Sequence, residues 1–360
     1  MRLGHIDRMR AIAVLCMVEV HTAAIIPPEG ISVGHPAAFV AAAFGGMAAP
    51  MFVAISGWGI HMSAVRRAAE PDHDAGMWLR WLAPRVLLLS LCQLLVNLLL
   101  SADRGGRFEW QTPGVLTLLA IAALLAPALI RLSMRSRAGI MLVMVASPLA
   151  LGDAAGTDWT WWERVGSEGA SEWLARLLWN GTYPAVPWLG FVLLGSLIHD
   201  LADEPATRER GIALGLAATT VTAAIAAFKG IPWALTEGEA VLTFFPASPA
   251  FLVVSGTFVL LVHRALEGSE TSGGEPGGGD RLAFLEPAGR ITLTIYVAHF
   301  AVLGAVASAM QGEPRLELVP AFAATIVHSL VWIPLAIWHQ KYIPEISFES
   351  LLRKISQSSR

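Results

Sequence analysis

The chain has 360 residues, of which 55% are hydrophobic and only 15% are charged, and its mean hydropathy is +0.58. A soluble globular protein carries about 25% charged residues, so this chain is too apolar for a soluble fold. The net charge is −3 and no basic stretch is interleaved with aromatic residues, so no nucleic-acid partner is expected. Both cysteines, Cys16 and Cys92, fall in apolar runs, so neither a disulfide framework nor a cysteine zinc site is expected.

Apolar runs near the roughly 20 residues that cross a hydrocarbon core follow one another along the chain. They predict an all-α, polytopic integral membrane protein of about ten transmembrane helices, with the lipid bilayer as its surroundings. The predicted spans lie near 9–28, 38–63, 78–100, 113–132, 138–155, 184–199, 211–228, 247–266, 287–309 and 319–339.

The distribution of lysine and arginine tests this topology independently, because cytoplasmic loops are richer in both residues. With the N-terminus inside, 19 of the 25 lysines and arginines fall in inner segments. We therefore expect both termini to be cytoplasmic. We also expect residues 1–360 to form a single transmembrane domain.

Three segments outside the predicted spans have distinct compositions. Residues 156–183 form the longest outer loop, and their tryptophans predict an element in the membrane interface, either as a plain anchor, which is the simpler interpretation, or as a substrate surface. The Gly-rich residues 267–280 predict a flexible cytoplasmic linker, since no strand precedes them as in a phosphate-binding loop. Residues 343–360 predict a short amphipathic helix at the inner surface.

Arg10 and His21 are candidate site residues, because ionisable side chains at membrane depth are costly. They lie eleven residues apart, which is about 1100° of helical rotation, so they share one helix face. Arg10 is expected at the cytoplasmic mouth, where Asp7 can pair with it, and His21 about 16 Å deeper. This arrangement suits an elongated anionic ligand such as acyl-CoA, with its phosphates at the arginine and its thioester at the histidine.

His299 and Tyr296 share a face of the ninth span, and His299 is expected at the depth of His21. An imidazole can take a proton from a hydroxyl or amine and return one to a leaving thiolate, so His21 and His299 are candidate catalytic residues. His328 reaches a similar depth, and for it a structural role, a hydrogen bond to a neighbouring helix, is the favoured interpretation. Glu19 points about 200° away from His21 and is interpreted as a partner for another helix.

Arg80 and Arg85 flank the inner end of the third span and are further candidates for binding the phosphates of CoA. Anchoring by the positive-inside rule explains them equally well. A metal site is not expected, because no two histidines within one span have the spacing of metal ligands. The sequence leaves the oligomeric state open, and a homo-oligomer is compatible with it.

Four motifs, in order along the chain, resemble a known superfamily. HIDRMRAIAV at 5–14, followed by His21, resembles the opening motif of the transmembrane acyltransferases, in which ten residues separate an arginine from a histidine. PMFVAISG at 50–57 resembles their second span. PWLGFVLLG at 187–195 and GRITLTIYVAH at 289–299 are most similar to the bacterial branch related to the heparan-α-glucosaminide N-acetyltransferase catalytic domain, with the acyltransferase-3 family as the related alternative.

The resemblance implies a membrane enzyme that takes acetyl-CoA or another acyl-CoA from the cytoplasm as co-substrate and acylates a sugar or surface glycan. It implies His21 as the catalytic histidine, Arg10 as a contributor to CoA binding, and His299 with Tyr296 as parts of the central site. It also implies a multi-pass protein of the plasma membrane, the inner membrane of a bacterium.

The chain departs from these families at two places. Ala11 stands where glycine is frequent in the closest branch, and the inner loop lacks the pair of arginines with two intervening residues that the acyltransferase-3 family carries. Arg104 and Arg107 have this spacing, but the topology places them outside. The alternative function is a proton-coupled transporter or flippase that uses mid-membrane histidines, which predicts internal repeats that the two halves of the sequence do not show.

Overall fold

A computed structural model describes residues 3–30, 36–70, 75–235, 238, 240–272, 281–310 and 316–358. The long elements in these residues are helices, which confirms an all-α, polytopic membrane protein. They are α1 (Gly4–Ile25), α2 (Pro36–Ala68), α3 (Ala75–Leu99), α4 (Val115–Leu129), α5 (Met134–Leu151), α6 (Trp161–Val165), α7 (Ala170–Ala175), α8 (Ala185–Asp200), α9 (Pro205–Lys229), α10 (Pro249–Ser272), α11 (Glu286–Arg290), α12 (Thr292–Ala309), α13 (Leu318–Leu330), α14 (Trp332–Tyr342) and α15 (Phe348–Ser358). Two short strands, β1 (Ala234–Leu235) and β2 (Leu242–Thr243), pair in parallel between α9 and α10.

Each of the predicted spans contains a helix of the structure. Within the described residues, eight helical segments are long and apolar enough to cross a membrane by length and composition. The helix in the fourth predicted span, α4, is shorter, and α1 carries charged residues in its first turns. Mean hydropathy predicted these helices because it is averaged over many residues, so a single polar residue within a span changes it little.

The ninth and tenth predicted spans are each divided into two helices. α11 ends at Arg290, and Ile291, with φ −125° and ψ 37°, separates it from α12. α13 ends at Leu330 and α14 begins at Trp332. Pro334 has no N–H to donate to the carbonyl of Leu330, which explains the second break.

The chain forms two compact units, each made of segments that are far apart in the sequence. The first unit contains Met1–Phe52, Leu95–Phe108 and Leu261–Ser358. In this unit α1 packs against α11, α12 and α13. Gly289 makes the approach of α11 possible, because a Cβ at this position would lie 1.7 Å from the carbonyl oxygen of Asp7.

The second unit contains Val53–Leu94 and Glu109–Leu260. In this unit α8 packs against α4 and α5. A Cβ at Gly195 of α8 would lie 1.9 Å from the carbonyl oxygen of Ala54 in α2. Small residues that let helix backbones approach closely are typical of helix interfaces in membranes.

The outer loop at 156–183 is a folded element of the second unit. Its first helix, α6, begins with a capping box between Thr160 and Glu163, and the bonds from Thr160 hold the pKa of Glu163 below its ordinary value. The indole N–H of Trp173 donates to the carbonyl oxygen of Gln111 at 2.8 Å. These bonds fix the loop, and its predicted role in the membrane interface stays a prediction.

Two predicted cytoplasmic segments are partly helical. α10 continues to Ser272, into the predicted linker at 267–280, and residues 273–280 lie outside the described residues. In the tail at 343–360 the structure places α15, with Leu351 and Ile355 exposed on its surface. The tail is therefore helical from Phe348 to Ser358.

We expect Gly289→Ala to destabilise the protein, because the added methyl group must push α1 and α11 apart. Overpacking of this kind costs about 1–3 kcal/mol, which thermal unfolding in detergent, followed by circular dichroism, measures. Gly211→Ala in α9 is the control, since nothing lies within 4 Å of a Cβ there and alanine is the better helix former. Equal unfolding temperatures for the two variants would contradict the close approach.

Candidate active site

Arg10 and His21 both lie on α1, which runs unbroken from Gly4 to Ile25. Both side chains are half-buried, and the helix separates them by about 16 Å along its axis. Val14 and Met17 occupy the same face between them and are fully buried. The two residues therefore have the predicted separation, but an extended ligand cannot lie along this strip as it stands in the structure.

His21 meets His299 of α12. Nδ1 of His21 lies 2.9 Å from Nε2 of His299, and the two rings are nearly parallel, with centroids 5.2 Å apart. His299 is fully buried, whereas His21 keeps part of its surface exposed. The structure thus brings the two histidines singled out by the sequence into direct contact.

The partner of Nδ1 of His299 determines where the hydrogens of this pair lie. That nitrogen is 3.1 Å from the carbonyl oxygen of Ile295, and a carbonyl oxygen only accepts, so Nδ1 carries the hydrogen. In a neutral imidazole the other nitrogen, Nε2, is then an acceptor, and Nδ1 of His21 donates to it. Nε2 of His21 is left with a lone pair, which is what a general base or a nucleophile needs.

Aromatic side chains surround the imidazole pair. The ring centroid of Phe300 lies 4.7 Å from that of His21 and 4.2 Å from that of His299. Tyr296, which the sequence predicted beside His299, lies 6.4 Å from His21 and 5.5 Å from His299, between ring centroids. Sequence reasoning missed Phe300, because an aromatic residue within an apolar span gives no signal that separates a site from ordinary packing.

His328 and Glu19 lie near this pair without joining it directly. Nδ1 of His328 is 2.8 Å from the hydroxyl of Thr22, and its ring centroid is 6.4 Å from that of His299. Three imidazoles therefore share one layer, as the sequence suggested. Glu19 lies beside Gly45 of α2, and its Oε2 atom has no hydrogen-bond partner in the part of the chain that the structure describes.

The N-terminal end of α1 carries a network of charges. Asp7 pairs with Arg10, as predicted, at 3.4 Å, and its other oxygen lies 3.4 Å from Nε of Arg290. Glu286 pairs with Arg290 at 2.9 Å and with Arg8 at 3.1 Å. Asp7 and Arg8 are buried, whereas the side chains of Arg10 and Arg290 are 30% and 33% exposed. A ligand can therefore reach two guanidinium groups, of which the sequence indicated only Arg10.

Arg80 and Arg85, the other predicted phosphate contacts, lie in the second unit. Arg80 is exposed on α3. The guanidinium of Arg85 lies 4.7 Å from the ring centroid of Trp81, and its Nη1 atom is buried without a hydrogen-bond partner among the described residues. Arg85 therefore has a buried donor for which the described residues supply no acceptor.

Arg104 and Arg107 have the arginine spacing of the acyltransferase-3 pattern but lie elsewhere. Nη2 of Arg107 donates to the carbonyl oxygen of Ala24 at 2.7 Å. Ala24 is near the end of α1 opposite to Arg10. Arg107 therefore lies at the end of this helix opposite to Arg10, and the predicted topology stays a prediction.

A comparison with known families shows which family the chain belongs to. The model of the acyltransferase-3 family, described as an acyltransferase domain, matches residues 3–333. The chain belongs to the acyltransferase-3 family. No curated protein matches it. This family is the related alternative that the four sequence motifs indicate, and the heparan-α-glucosaminide N-acetyltransferase-like branch stays a prediction.

Membership of the acyltransferase-3 family makes this protein a membrane acyltransferase and does not favour the transporter interpretation. The matched residues contain α1 and α12, so both members of the imidazole pair lie within them. The match ends at Ile333, before α15 begins.

A second cluster of titratable side chains lies in the second unit of this acyltransferase-3 protein. Oδ1 of Asp200 is 3.1 Å from Nε2 of His61 and 2.9 Å from Nδ1 of His199. Its Oδ2 atom accepts from the guanidinium of Arg137, which also lies 3.3 Å from His61. Sequence reasoning missed this cluster, because its members come from α2, α5 and α8 and no sequence spacing connects them.

The two imidazoles and the carboxylate are metal-ligating groups whose ligand atoms lie within 4.8 Å of one another. The positive charge of Arg137 distinguishes a cation site from an ion-pair network. With neutral imidazoles, Arg137 and Asp200 balance each other, whereas a divalent cation would add two charges beside a buried guanidinium, which is costly at low dielectric. We therefore interpret this cluster as an ion-pair network that joins three helices.

We expect Arg137→Gln to destabilise the protein by about 3 kcal/mol, because Asp200 loses its cation. Thermal unfolding measures the loss, with Arg135→Gln, an exposed arginine of the same helix, as the matched control. If zinc raised the unfolding temperature of the wild-type protein but not that of Asp200→Asn, the ion-pair interpretation would be wrong.

Proposed function

We propose that this protein transfers an acetyl or other short acyl group from cytoplasmic acyl-CoA to a hydroxyl or amino group of a sugar or surface glycan. The observation that carries the proposal is the hydrogen-bonded pair of His21 and His299, which leaves Nε2 of His21 as a defined acceptor. Acyl transfer needs such an acceptor, because the attacking hydroxyl or amine loses a proton as the new bond forms.

In a direct transfer, Nε2 of His21 removes the proton of the sugar group while its oxygen or nitrogen attacks the thioester carbonyl carbon. The carbon–sulfur bond then breaks, and the thiolate of CoA takes the proton from His21. The imidazolium that exists between these events is stabilised by the bond from its Nδ1–H to His299. The packing of Phe300 against both rings limits the access of water, which would otherwise hydrolyse the thioester.

In a two-step transfer, Nε2 of His21 attacks the thioester itself, the carbon–sulfur bond breaks and CoA leaves as the thiolate. The sugar hydroxyl or amine then attacks the acyl carbon, and the bond between this carbon and Nε2 breaks. The freed Nε2 takes the proton of the attacking group, and this proton finally neutralises the thiolate. Both routes start from the same lone pair. Both therefore require that Nε2 of His299 remains an acceptor for the Nδ1–H of His21.

Arg10 is proposed to bind a phosphate of CoA at the inner end of α1. In support, its guanidinium is partly exposed and its contact with Asp7 is long, at 3.4 Å. Arg290 adds a second reachable guanidinium beside it. Because Val14 and Met17 close the strip above Arg10, the pantetheine arm is proposed to reach the imidazole pair beside this strip.

Arg85, whose buried Nη1 atom has no hydrogen-bond partner among the described residues, and the exposed Arg80 stay candidates for binding phosphate, each considered within the second unit. The proposal that a sugar receives the acyl group rests on the resemblance to the heparan-α-glucosaminide N-acetyltransferase branch, whose reaction is the acylation of a sugar. The same resemblance supports a place in the inner membrane of a bacterium.

We expect His21→Ala to lower the rate of acyl transfer on the order of 10³-fold, because the base is lost. The assay follows labelled acetyl groups from acetyl-CoA to glucosamine, which offers an amino group and hydroxyls in one molecule, with purified protein in nanodiscs. His328→Ala is the matched control, since this imidazole shares the layer but bonds Thr22, and we expect it to keep most of the activity.

His21→Ala also distinguishes a loss of acetyl-CoA binding from a loss of catalysis. Acetyl-CoA should raise the unfolding temperature of the wild-type protein and of His21→Ala alike, because the phosphates bind elsewhere. Transfer at the wild-type rate by His21→Ala, or no thermal shift of the wild-type protein with acetyl-CoA, would show that the proposed function is wrong.

We expect Arg10→Ala to raise the KM for acetyl-CoA about tenfold with little change in kcat, because a phosphate contact is made equally in the ground state and the transition state. The effect should shrink at high salt, since the guanidinium is partly exposed. Lys341→Ala, an exposed cation at the end of α14, is the control. An unchanged KM for Arg10→Ala would exclude this contact.

A further inference from the structure

The helix that carries Tyr296 and His299 has no cap of its own. Ile291 precedes α12 and offers no side-chain acceptor. Thr292 uses its hydroxyl to donate to the carbonyl oxygen of Gly289 at 2.9 Å. The first N–H groups of a helix lack partners within it, so those of α12 need acceptors from another part of the chain.

Glu349, the second residue of α15, supplies these acceptors. Its Oε1 atom accepts from the backbone N–H of Leu293 at 2.6 Å and of Thr294 at 3.3 Å. Its Oε2 atom accepts from the hydroxyl of Thr294 at 2.7 Å. The backbone N–H of Phe348 donates in return to that hydroxyl oxygen at 3.0 Å. A carboxylate at a helix N-terminus is also favoured by the helix dipole, so Glu349 caps α12.

The start of α15 is held in place on both sides of Glu349. Nε2 of His339 in α14 donates to the carbonyl oxygen of Ile346 at 2.7 Å. The buried hydroxyl of Ser350 donates to the carbonyl oxygen of Pro344 at 3.0 Å. Glu349 therefore reaches α12 from a fixed turn.

The capped turn leads directly into the group that orients His299. Thr294 is followed by Ile295, whose carbonyl oxygen accepts from Nδ1 of His299 and so leaves Nε2 of that ring as the acceptor. The N–H of Ile295 donates to Ile291 at 2.9 Å, within the same first turn. The axial distance from Thr294 to His299 is about 7.5 Å.

We propose that Glu349 is a positioning residue of the acyl-transfer reaction: by capping α12, it holds His299 in the orientation that receives the bond from His21. This proposal rests on the proposed roles of the two histidines. Glu349 lies beyond the residues that match the acyltransferase-3 family, so the family assigns it no role.

The surroundings of Glu349 support this role. Burial raises the pKa of its carboxyl group by more than the hydrogen bonds from Thr294 and from the backbone lower it. The protein thus places a carboxyl group where burial disfavours its charged form. Glu345, four residues earlier, is by contrast exposed and pairs only with Lys354 among the contacts described, at 2.6 Å.

Glu349→Ala should lower kcat for acetyl transfer to glucosamine on the order of tenfold and leave the KM for acetyl-CoA nearly unchanged, since the cap acts on the chemical step. Glu349→Gln keeps an acceptor for the backbone N–H groups and should restore most of the rate. Glu345→Ala is the matched control and should behave as the wild-type protein.

A second measurement needs no acyl acceptor. Diethyl pyrocarbonate modifies imidazole lone pairs, and mass spectrometry gives the rate at His21 relative to His199, a half-buried histidine of the second unit. The bond from Nδ1–H to His299 makes Nε2 of His21 more nucleophilic. Glu349→Ala should therefore lower the ratio of the two rates severalfold, whereas Glu349→Gln and Glu345→Ala should leave it unchanged.

The outcomes separate this proposal from the proposed function. If His21→Ala and His299→Ala are inactive while Glu349→Ala keeps the wild-type kcat and rate ratio, Glu349 is only a structural cap and the inference fails alone. If the two histidine variants stay active, the proposed function is wrong, and this inference, which rests on it, is wrong as well. Should Glu349→Ala not fold, Thr294→Val, with Thr294→Ser as its rescue, carries the test with the same expected changes.

Discussion

The hydrogen bond between Nδ1 of His21 and Nε2 of His299 joins helices from opposite ends of the chain, and particular contacts of the first unit hold the two helices together. Gly289 lets α11, and with it the start of α12, approach α1. The carbonyl of Ile295 directs the bond by fixing the tautomer of His299. In hydrolase triads a carboxylate orients the catalytic imidazole, whereas His21, the proposed catalytic imidazole of this protein, is oriented by a second, neutral imidazole and a peptide group.

The two units use buried polar groups in opposite ways. In the second unit, both carboxylate oxygens of Asp200 have hydrogen-bond partners, which come from Arg137, His61 and His199. The charges of Asp200 and Arg137 balance within this network. In the first unit, the chain of bonds ends on a nitrogen of His21 that keeps its lone pair. Buried polar groups are costly unless they are paired. The paired network of the second unit joins helices, whereas the free lone pair of the first unit is available for the proposed chemistry.

The sequence predicted those features that depend on a single helix. Hydropathy placed the spans, and helical geometry placed Arg10 and His21 on one face, because both quantities follow from local periodicity. Periodicity does not reveal what a face packs against, so it missed Arg290, Phe300 and Glu349. For the same reason it did not show that Val14 and Met17 close the strip between the two predicted residues. The break at Ile291 was missed because one non-helical residue leaves the mean hydropathy unchanged.

Asp7 has a consequence for turnover in the proposed reaction. Its carboxylate already engages Arg10 and Arg290, so a phosphate of the proposed CoA donor would replace one negative partner with another. The affinity gained would be only the difference between the two pairings. On release of the proposed product CoA, the carboxylate would pair with both guanidinium groups again, and no unpaired cation would be exposed at the end of the helix. Such an exchange of anions would favour rapid release of the product over tight retention of the donor.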